Sequence, residues 1–180
     1  MAKIIYKEGC EGQNVLSCIE GIEIDLLNGQ KALIYPKYSE EMILPYEKRN
    51  LWEAKGMSEI EALKETDTNY ETGQLFALDS PAALWVAKFR SDAHGIFCLP
   101  SLLAAMELQH QKEEIDALAE TIEGADLLRN FISGVWSCSR CYADNCWSAY
   151  GYYGYAYYGY LGSSFLVVPL VLLDVSQSAI

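Results

Sequence analysis

Cys138, Cys141 and Cys146 form a C-x-x-C-x-x-x-x-C cluster, the part of this chain with most scope for covalent or metal chemistry. A thiolate can attack an electrophile or ligate zinc. A structural zinc site takes four ligands, and neither histidine is near in sequence; only His94 or Cys98 could fold in to complete one. The spacing therefore predicts thiols without a metal. His94 adjoins Asp92 and Gly95 in a predicted turn. His110 lies within Leu108-Gln109-His110-Gln111 with no paired nucleophile. Both histidines read as solvated or capping residues. Asp144 and Asn145 supply few of the oxygens that calcium requires. No phosphate-cradling glycine loop and no Ser/His/Asp arrangement stands out. The sequence thus gives no catalytic residue, no metal and no cofactor, and the expectation is a protein that is not an enzyme.

Residues Arg140 to Ser164 read RCYADNCWSAYGYYGYAYYGYLGSS and hold eight of the thirteen tyrosines. Tyrosine offers a large, stiff contact area with a polar tip, and Gly and Ser offer adaptable backbone and hydrogen bonds. That is the composition of an antibody paratope. A β core is the competing reading, since strands favour tyrosine. Yet Gly151, Gly154, Gly159 and Gly162 interrupt the tract, and glycine weakens strands. The tract predicts an exposed contact surface, with self-association as a further alternative.

Composition narrows the partners. The net charge of −12 repels phosphate backbones and anionic membranes, so nucleic acid is not an expected partner. Half the 180 residues are hydrophobic, enough for a sizeable core. The start, MAKIIYKEGCEGQNV, lacks a secretory apolar run. The late run Phe165–Leu173 is interrupted by Pro169 and falls short of the ~20 residues a spanning helix needs. Membrane insertion is not expected. The localisation stays unknown: cytoplasmic at synthesis, or part of a phage particle. All six cysteines are then expected to be mostly free thiols.

The elements that must position the tract are predicted as follows. Ile22-Glu23-Ile24-Asp25-Leu26 and Lys31-Ala32-Leu33-Ile34-Tyr35 alternate on either side of Asn28-Gly29, a hairpin signal. Glu47 to Thr68 is helix-permissive, anchored by Trp52, Ile60 and Leu63. Asp67 to Gly73 reads as a loop. Ser80-Pro81 opens a helix, closed by Ser91 to Gly95. Ser101 caps a second helix running towards Gly124, with Ala104, Leu108, Ile115, Leu118 and Ile122 on its inner face. Phe131 to Ser139, the tyrosine tract and Phe165 to Val175 read as strands and loops. Trp136 and Trp147 are expected to anchor the core. The class is α+β: an N-terminal β-hairpin region, then two helices on a small, twisted, mainly antiparallel sheet. Residues 1–77 are expected as a hairpin and helical accessory region, and 78–180 as the ligand-binding domain.

Two blocks carry a family resemblance. One is Cys98-Leu99-Pro100-Ser101-Leu102, followed by a helix with Glu107-Leu108 and ending at Ile122-Glu123-Gly124. The other is Val135-Trp136-Ser137-Cys138-Ser139, then Cys146-Trp147, the Gly/Tyr tract and Val167-Val168-Pro169-Leu170. Their order resembles C-type-lectin-fold variable proteins of diversity-generating retroelements, a group that includes the phage major tropism determinant. The similarity spans roughly residues 78 to 176. It implies a C-type-lectin-like fold whose C-terminal stretch displays a diversified, hypervariable ligand surface. The implied framework is Trp136, Ser137, Ser139, Trp147, Val167, Val168 and Pro169. The implied ligand-binding set is Arg140, Tyr142, Asp144, Asn145, Tyr150, Tyr152, Tyr153, Tyr155, Tyr157, Tyr158 and Tyr160. This chain departs from many relatives in its last strand, Phe165-Leu166-Val167-Val168, which is apolar where they are arginine-rich.

The leading expectation is a receptor-binding display protein for a protein or glycan on another cell or particle. Homo-oligomerisation stays open. The alternatives are a structural virion or appendage component that uses the tract for assembly, and a cysteine-dependent enzyme on the related scaffold of formylglycine-generating sulfatase activators.

Overall fold

A computed structural model describes residues 1–53, 55–142, 144–150 and 155–173. The fold is mixed α+β, built on two main sheets. Strands β1 (Lys3–Tyr6), β2 (Ile19–Asp25), β3 (Lys31–Ile34) and β11 (Leu170–Leu173) form one sheet in the order β1-β2-β3-β11, antiparallel throughout. The second has the order β4-β10-β7-β8-β9, from β4 (Ser39–Glu41), β7 (Val135–Tyr142), β8 (Asn145–Tyr150), β9 (Tyr155–Tyr160) and β10 (Phe165–Val167). Its β10–β7 contact is parallel and its other pairs are antiparallel. The segment before residue 77 therefore supplies strands to both sheets, paired with strands from the C-terminal half.

The expected hairpin is β2–β3, with Asp25 opposite Lys31. Its connection is longer than a two-residue Asn-Gly turn. Leu26 N–H donates to Gln30 O, Gly29 N–H donates to Leu26 O, and Gly29 has φ 84°. This is a type I turn followed by a left-handed glycine, the next most common hairpin solution.

The helices correct several expectations. The helix-permissive stretch Glu47 to Thr68 is not one helix: a 3-10 turn, Tyr46–Leu51, precedes α1 (Glu59–Lys64). Trp52 is buried as expected, whereas Ile60 is exposed. The predicted loop at 67–73 is instead the start of α2 (Thr68–Ala77), capped by the Asp67 side chain accepting from Tyr70 N–H. The inward residues of α2 are mostly polar. Thr72 Oγ1 accepts from Leu99 N–H, and Asn69 Oδ1 accepts from the Cys98 thiol. An apolar-periodicity reading passes over such a helix. Ser80 does cap α3 (Pro81–Val86), followed by the short pair β5 (Arg90–Ser91) and β6 (Gly95–Ile96).

Ser101 caps α4 (Leu102–His110) as expected. The helix does not run through to Gly124. Gln111 interrupts it at φ −98°, ψ 12°, and α5 (Lys112–Ala119) follows. The Gln111 side chain donates to Asp25 O and to a Glu107 carboxylate oxygen, tying the break to the end of β2. Ala104, Leu108, Ile115 and Ile122 are buried, and Leu118 is half-buried. A core of Ile22, Ile24, Ala32, Ile34, Ala104, Leu108, Ile115, Val135, Ala149 and Leu166 joins both sheets to α4 and α5. Among the described residues, no helix is long and apolar enough to cross a membrane.

Candidate functional site

The tyrosine tract forms a β-hairpin at the outer end of the second sheet. β8 and β9 pair in register from Asn145–Tyr160 to Tyr150–Tyr155, with no bulge. Alternation then divides the side chains between two faces. On one, Asn145, Trp147 and Ala149 lie opposite Tyr160, Tyr158 and Ala156. On the other, Cys146, Ser148 and Tyr150 lie opposite Gly159, Tyr157 and Tyr155.

The first strand of this hairpin is buried and the second is exposed. Cys146, Trp147, Ser148 and Ala149 are all buried. Trp147 packs with Ala62, Leu102 and Cys141, and its indole N–H donates to Met57 O at 2.9 Å. Across the sheet Trp136 packs with Trp52, Ile43, Leu99 and Val167, and its indole donates to Glu41 O at 2.8 Å. Both tryptophans thus anchor cores and have satisfied polar tips. Ser137, Ser139, Val167, Val168 and Pro169 are buried as well.

Tyr142, Tyr150, Tyr155, Tyr157, Tyr158 and Tyr160 are all exposed, from 41% for Tyr160 to 67% for Tyr155. Four of these rings, those of Tyr150, Tyr157, Tyr158 and Tyr142, form a connected row with Phe165 and Trp136. Trp136 stacks on Phe165 with centroids 4.4 Å apart. From Phe165 the row continues to Tyr150 at 6.4 Å and on to Tyr157 at 6.0 Å. Tyr157 stacks on Tyr158 at 5.0 Å, and Tyr158 meets Tyr142 edge-on at 5.9 Å. Such contacts hold rings in place and reduce the entropy lost when they bind. Tyr152 and Tyr153 lie outside the described residues.

Gly159 makes this geometry feasible. A Cβ there would lie 2.6 Å from the Phe165 ring and 2.7 Å from the Trp136 ring. The glycine is thus a gap that lets two core aromatics reach under the edge strand. The sequence suggested instead that glycine would loosen the tract.

The polar members of the candidate set are engaged within the chain. Arg140 is half-buried, donates to Trp52 O and Tyr142 O, and sits 5.5 Å from the Trp52 ring. Asp144 pairs with Arg49 at 3.4 Å. Arg49 also stacks over the Tyr46 ring at 3.8 Å, donates to its hydroxyl, and reaches Tyr160. Asn145 is half-buried opposite Tyr160. Tyr46 and Arg49 were not singled out from sequence. Their signal was an Arg three residues after a Tyr in the 3-10 turn, which stacks them, but only the fold brings that turn beside Asp144 and Tyr160.

The cysteines do not converge. Cys138 and Cys146 join the cluster around Trp136, and Cys141 joins the one around Trp147. Burial pushes the Cys138, Cys141 and Cys146 thiols above their ordinary value. All six cysteines are thiols rather than disulfides. Among the described residues, no group of three His, Cys, Asp or Glu is arranged to hold a metal. His110 faces Glu107 at 3.5 Å, and His94 N–H donates to Ser91 Oγ.

No protein-family model, curated protein or solved structure matches this chain. Any functional reading therefore rests on this chain's own geometry and on the motif resemblance.

Proposed function

We propose that the β8–β9 hairpin is a ligand-binding surface for a protein or glycan partner on another cell or particle. On this reading the C-terminal part is a C-type-lectin-like unit and the exposed tyrosines are its diversified positions, as in variable proteins of diversity-generating retroelements. One observation carries the proposal: exposed tyrosines stand beside fully buried framework residues on the same pair of strands. A scaffold built this way tolerates change at the displayed positions without loss of its core. Tyrosine supplies contact area at low entropic cost. The net charge of −12 disfavours nucleic acid as the ligand. The raised thiols of Cys138 and Cys141 weigh against a cysteine nucleophile, which needs a lowered pKa.

The test begins with a glycan array and a display library of cell-surface proteins, probed with the full chain. The binder found is then titrated against the triple variant Tyr155→Ala, Tyr157→Ala, Tyr158→Ala. Loss of central aromatics costs about 2 kcal/mol or more at a hot spot, so affinity should fall at least ~30-fold with the melt nearly unchanged. Full affinity in the triple variant would show that the tyrosines are not the contact surface.

A further inference from the structure

We propose that Cys10 and Cys18 form a redox modification site, at which a low-molecular-weight disulfide converts the two thiols into one intramolecular disulfide. The pair belongs to the β1–β2 end of the first sheet and includes no residue of the tyrosine tract, so the inference does not depend on the ligand-binding reading.

The backbone ties both cysteines to Lys7, the residue that follows β1. Lys7 N–H donates to Cys18 O at 3.0 Å, just beyond the Tyr6–Ile19 pair, and Cys10 N–H donates to Lys7 O at 3.0 Å across a tight turn. The side chains meet as well: the Cys10 thiol is within hydrogen-bonding reach of the Cys18 thiol. Cys18 in turn donates to Gln13 Oε1 at 3.6 Å. The segment that leads into Cys18 is stitched to remote parts of the chain. Leu16 N–H donates to Glu123 O, Glu123 N–H donates to Asn14 O, and the Tyr35 hydroxyl donates to Leu16 O. Cys10 has more room. Gly9 and Gly12 beside it have φ 77° and 79°, and neither has an atom within 4 Å of the place a Cβ would take. The turn can therefore adjust to the Cβ separation of about 3.5–4.5 Å that a disulfide requires.

Exposure singles this pair out. Cys10 and Cys18 are half-buried, whereas Cys98, Cys138, Cys141 and Cys146 are buried. A dissolved oxidant therefore meets the first two sulfurs and is kept from the other four. The closest spacing in the sequence belongs to Cys138, Cys141 and Cys146. It is the pairing of β1 with β2 that brings Cys10 and Cys18 together.

The chemistry balances with one oxidant, a disulfide R–S–S–R. The Cys18 thiolate attacks one of its sulfurs, forming a mixed disulfide and releasing RS⁻. Cys10 then gives up its proton and attacks Cys18 Sγ, expelling the second RS⁻. The two protons lost by the cysteines end on the two leaving thiolates. The protein is thus oxidised by two electrons, and R–S–S–R is reduced to two R–SH. Cys10 acts second because its hydrogen bond to Cys18 holds its proton above the ordinary thiol value.

The test uses the full, reduced chain under native conditions, with oxidised glutathione as the probe. After equilibration, free thiols are alkylated in denaturant and the peptides are weighed. Cys10 and Cys18 should be joined to each other, and Cys98, Cys138, Cys141 and Cys146 should be alkylated. Dithiothreitol should restore both thiols. A short tether holds one sulfur at an effective concentration of about 1 mM or more near the other. With reduced glutathione at ~0.1 mM, the closed form should therefore outnumber the mixed disulfide at least ~10-fold. Cys10→Ser and Cys18→Ser cannot close, so each should instead accumulate one bound glutathione on the remaining cysteine. A wild-type chain that keeps glutathione on Cys10 or Cys18 as readily as these variants would show that the two sulfurs do not meet, and would overturn the proposal. So would a chain in which neither thiol reacts, or in which either one joins a different cysteine. None of these readouts needs the ligand, so failure here leaves the binding test standing.

Discussion

Hairpins β2–β3 and β8–β9 share a topology and differ in what they do with it. In β2 the residues Ile19 to Ile22 and Ile24 are buried, because β1 and β3 flank the strand and α5 packs on it. In β9 Tyr155, Tyr157, Tyr158 and Tyr160 are exposed, because no strand lies beyond β9 among the described residues and the helices reach little beyond β8. The strands have the same alternation and opposite fates. What differs is the number of neighbours, in the sheet and above it. The first hairpin gains stability from burial of both strands; the second gains it from Trp136 beneath and from Trp147 of its own β8, and leaves the tyrosines of β9 on the surface.

The sharpest way to separate the two is to remove a buried anchor from each. Trp136→Ala should destabilise by about 3–5 kcal/mol and Ile22→Ala by about 2–5 kcal/mol, measured by chemical denaturation. If Trp136→Ala cost no more than a surface change, the second hairpin would not lean on that core.

Alkaline pH should act through buried thiols that lie outside the first hairpin. The β2–β3 hairpin contains no thiol, whereas Cys138 and Cys146 lie in β7 and β8, and Cys98 lies between α2 and β11 of the first sheet. Burial pushes Cys98 up to about 11 from 9.0 and raises the other two. A buried thiol stays neutral in the fold but ionises in the unfolded chain near its ordinary value. Stability is therefore fully present below about pH 9 and is lost as pH rises towards 11. For Cys98 the loss is on the order of 3 kcal/mol, at about 1.36 kcal/mol per pKa unit. Denaturant melts from pH 8 to 11 should show the decline, and Cys98→Ala should lessen it, leaving the part that Cys138 and Cys146 carry.

Filling the gap under the edge strand is a milder perturbation. Gly159→Ala should cost about 1–3 kcal/mol by overpacking against Phe165 and Trp136. The near-ultraviolet tryptophan signal should change with it. An unchanged melt and signal would show that β9 can lift away from these rings freely.

The smallest effects belong to the displayed residues. Tyr155→Ala and Tyr157→Ala should each shift stability by about 0.5 kcal/mol or less, as exposed positions do. A loss comparable to that of Ile22→Ala would make the tyrosines core filler and collapse the contrast between the hairpins.

Much of the fold was legible locally. Asn28-Gly29 marked a hairpin, Ser80-Pro81 and Ser101 marked helix starts, and Trp136 and Trp147 marked the core. Those signals succeed because caps, turns and large aromatics act through near neighbours. Elsewhere the local signal was weak or misleading. α2 turns Thr68, Glu71 and Thr72 inward, so its buried face carries no apolar period. β4, with the sequence SEE, is a strand only because Phe165–Val167 pairs with it from more than a hundred residues away. In the candidate site, the tyrosine composition was plain. The engagement of Arg140 by Trp52 and of Asp144 by Arg49 was not, since both partners come from a distant 3-10 turn and the residue that follows it.

The sequence by itself determined the α+β class, the tract's chemical character and the starts of α3 and α4, because backbone preference and side-chain chemistry are properties of short segments. Only the tertiary structure decided which face of each strand meets solvent. It also decided that β9 ends its sheet among the described residues and that a glycine in the tract makes room for the Trp136 and Phe165 rings. Those outcomes depend on which remote strands and helices lie alongside, and no short segment carries that information.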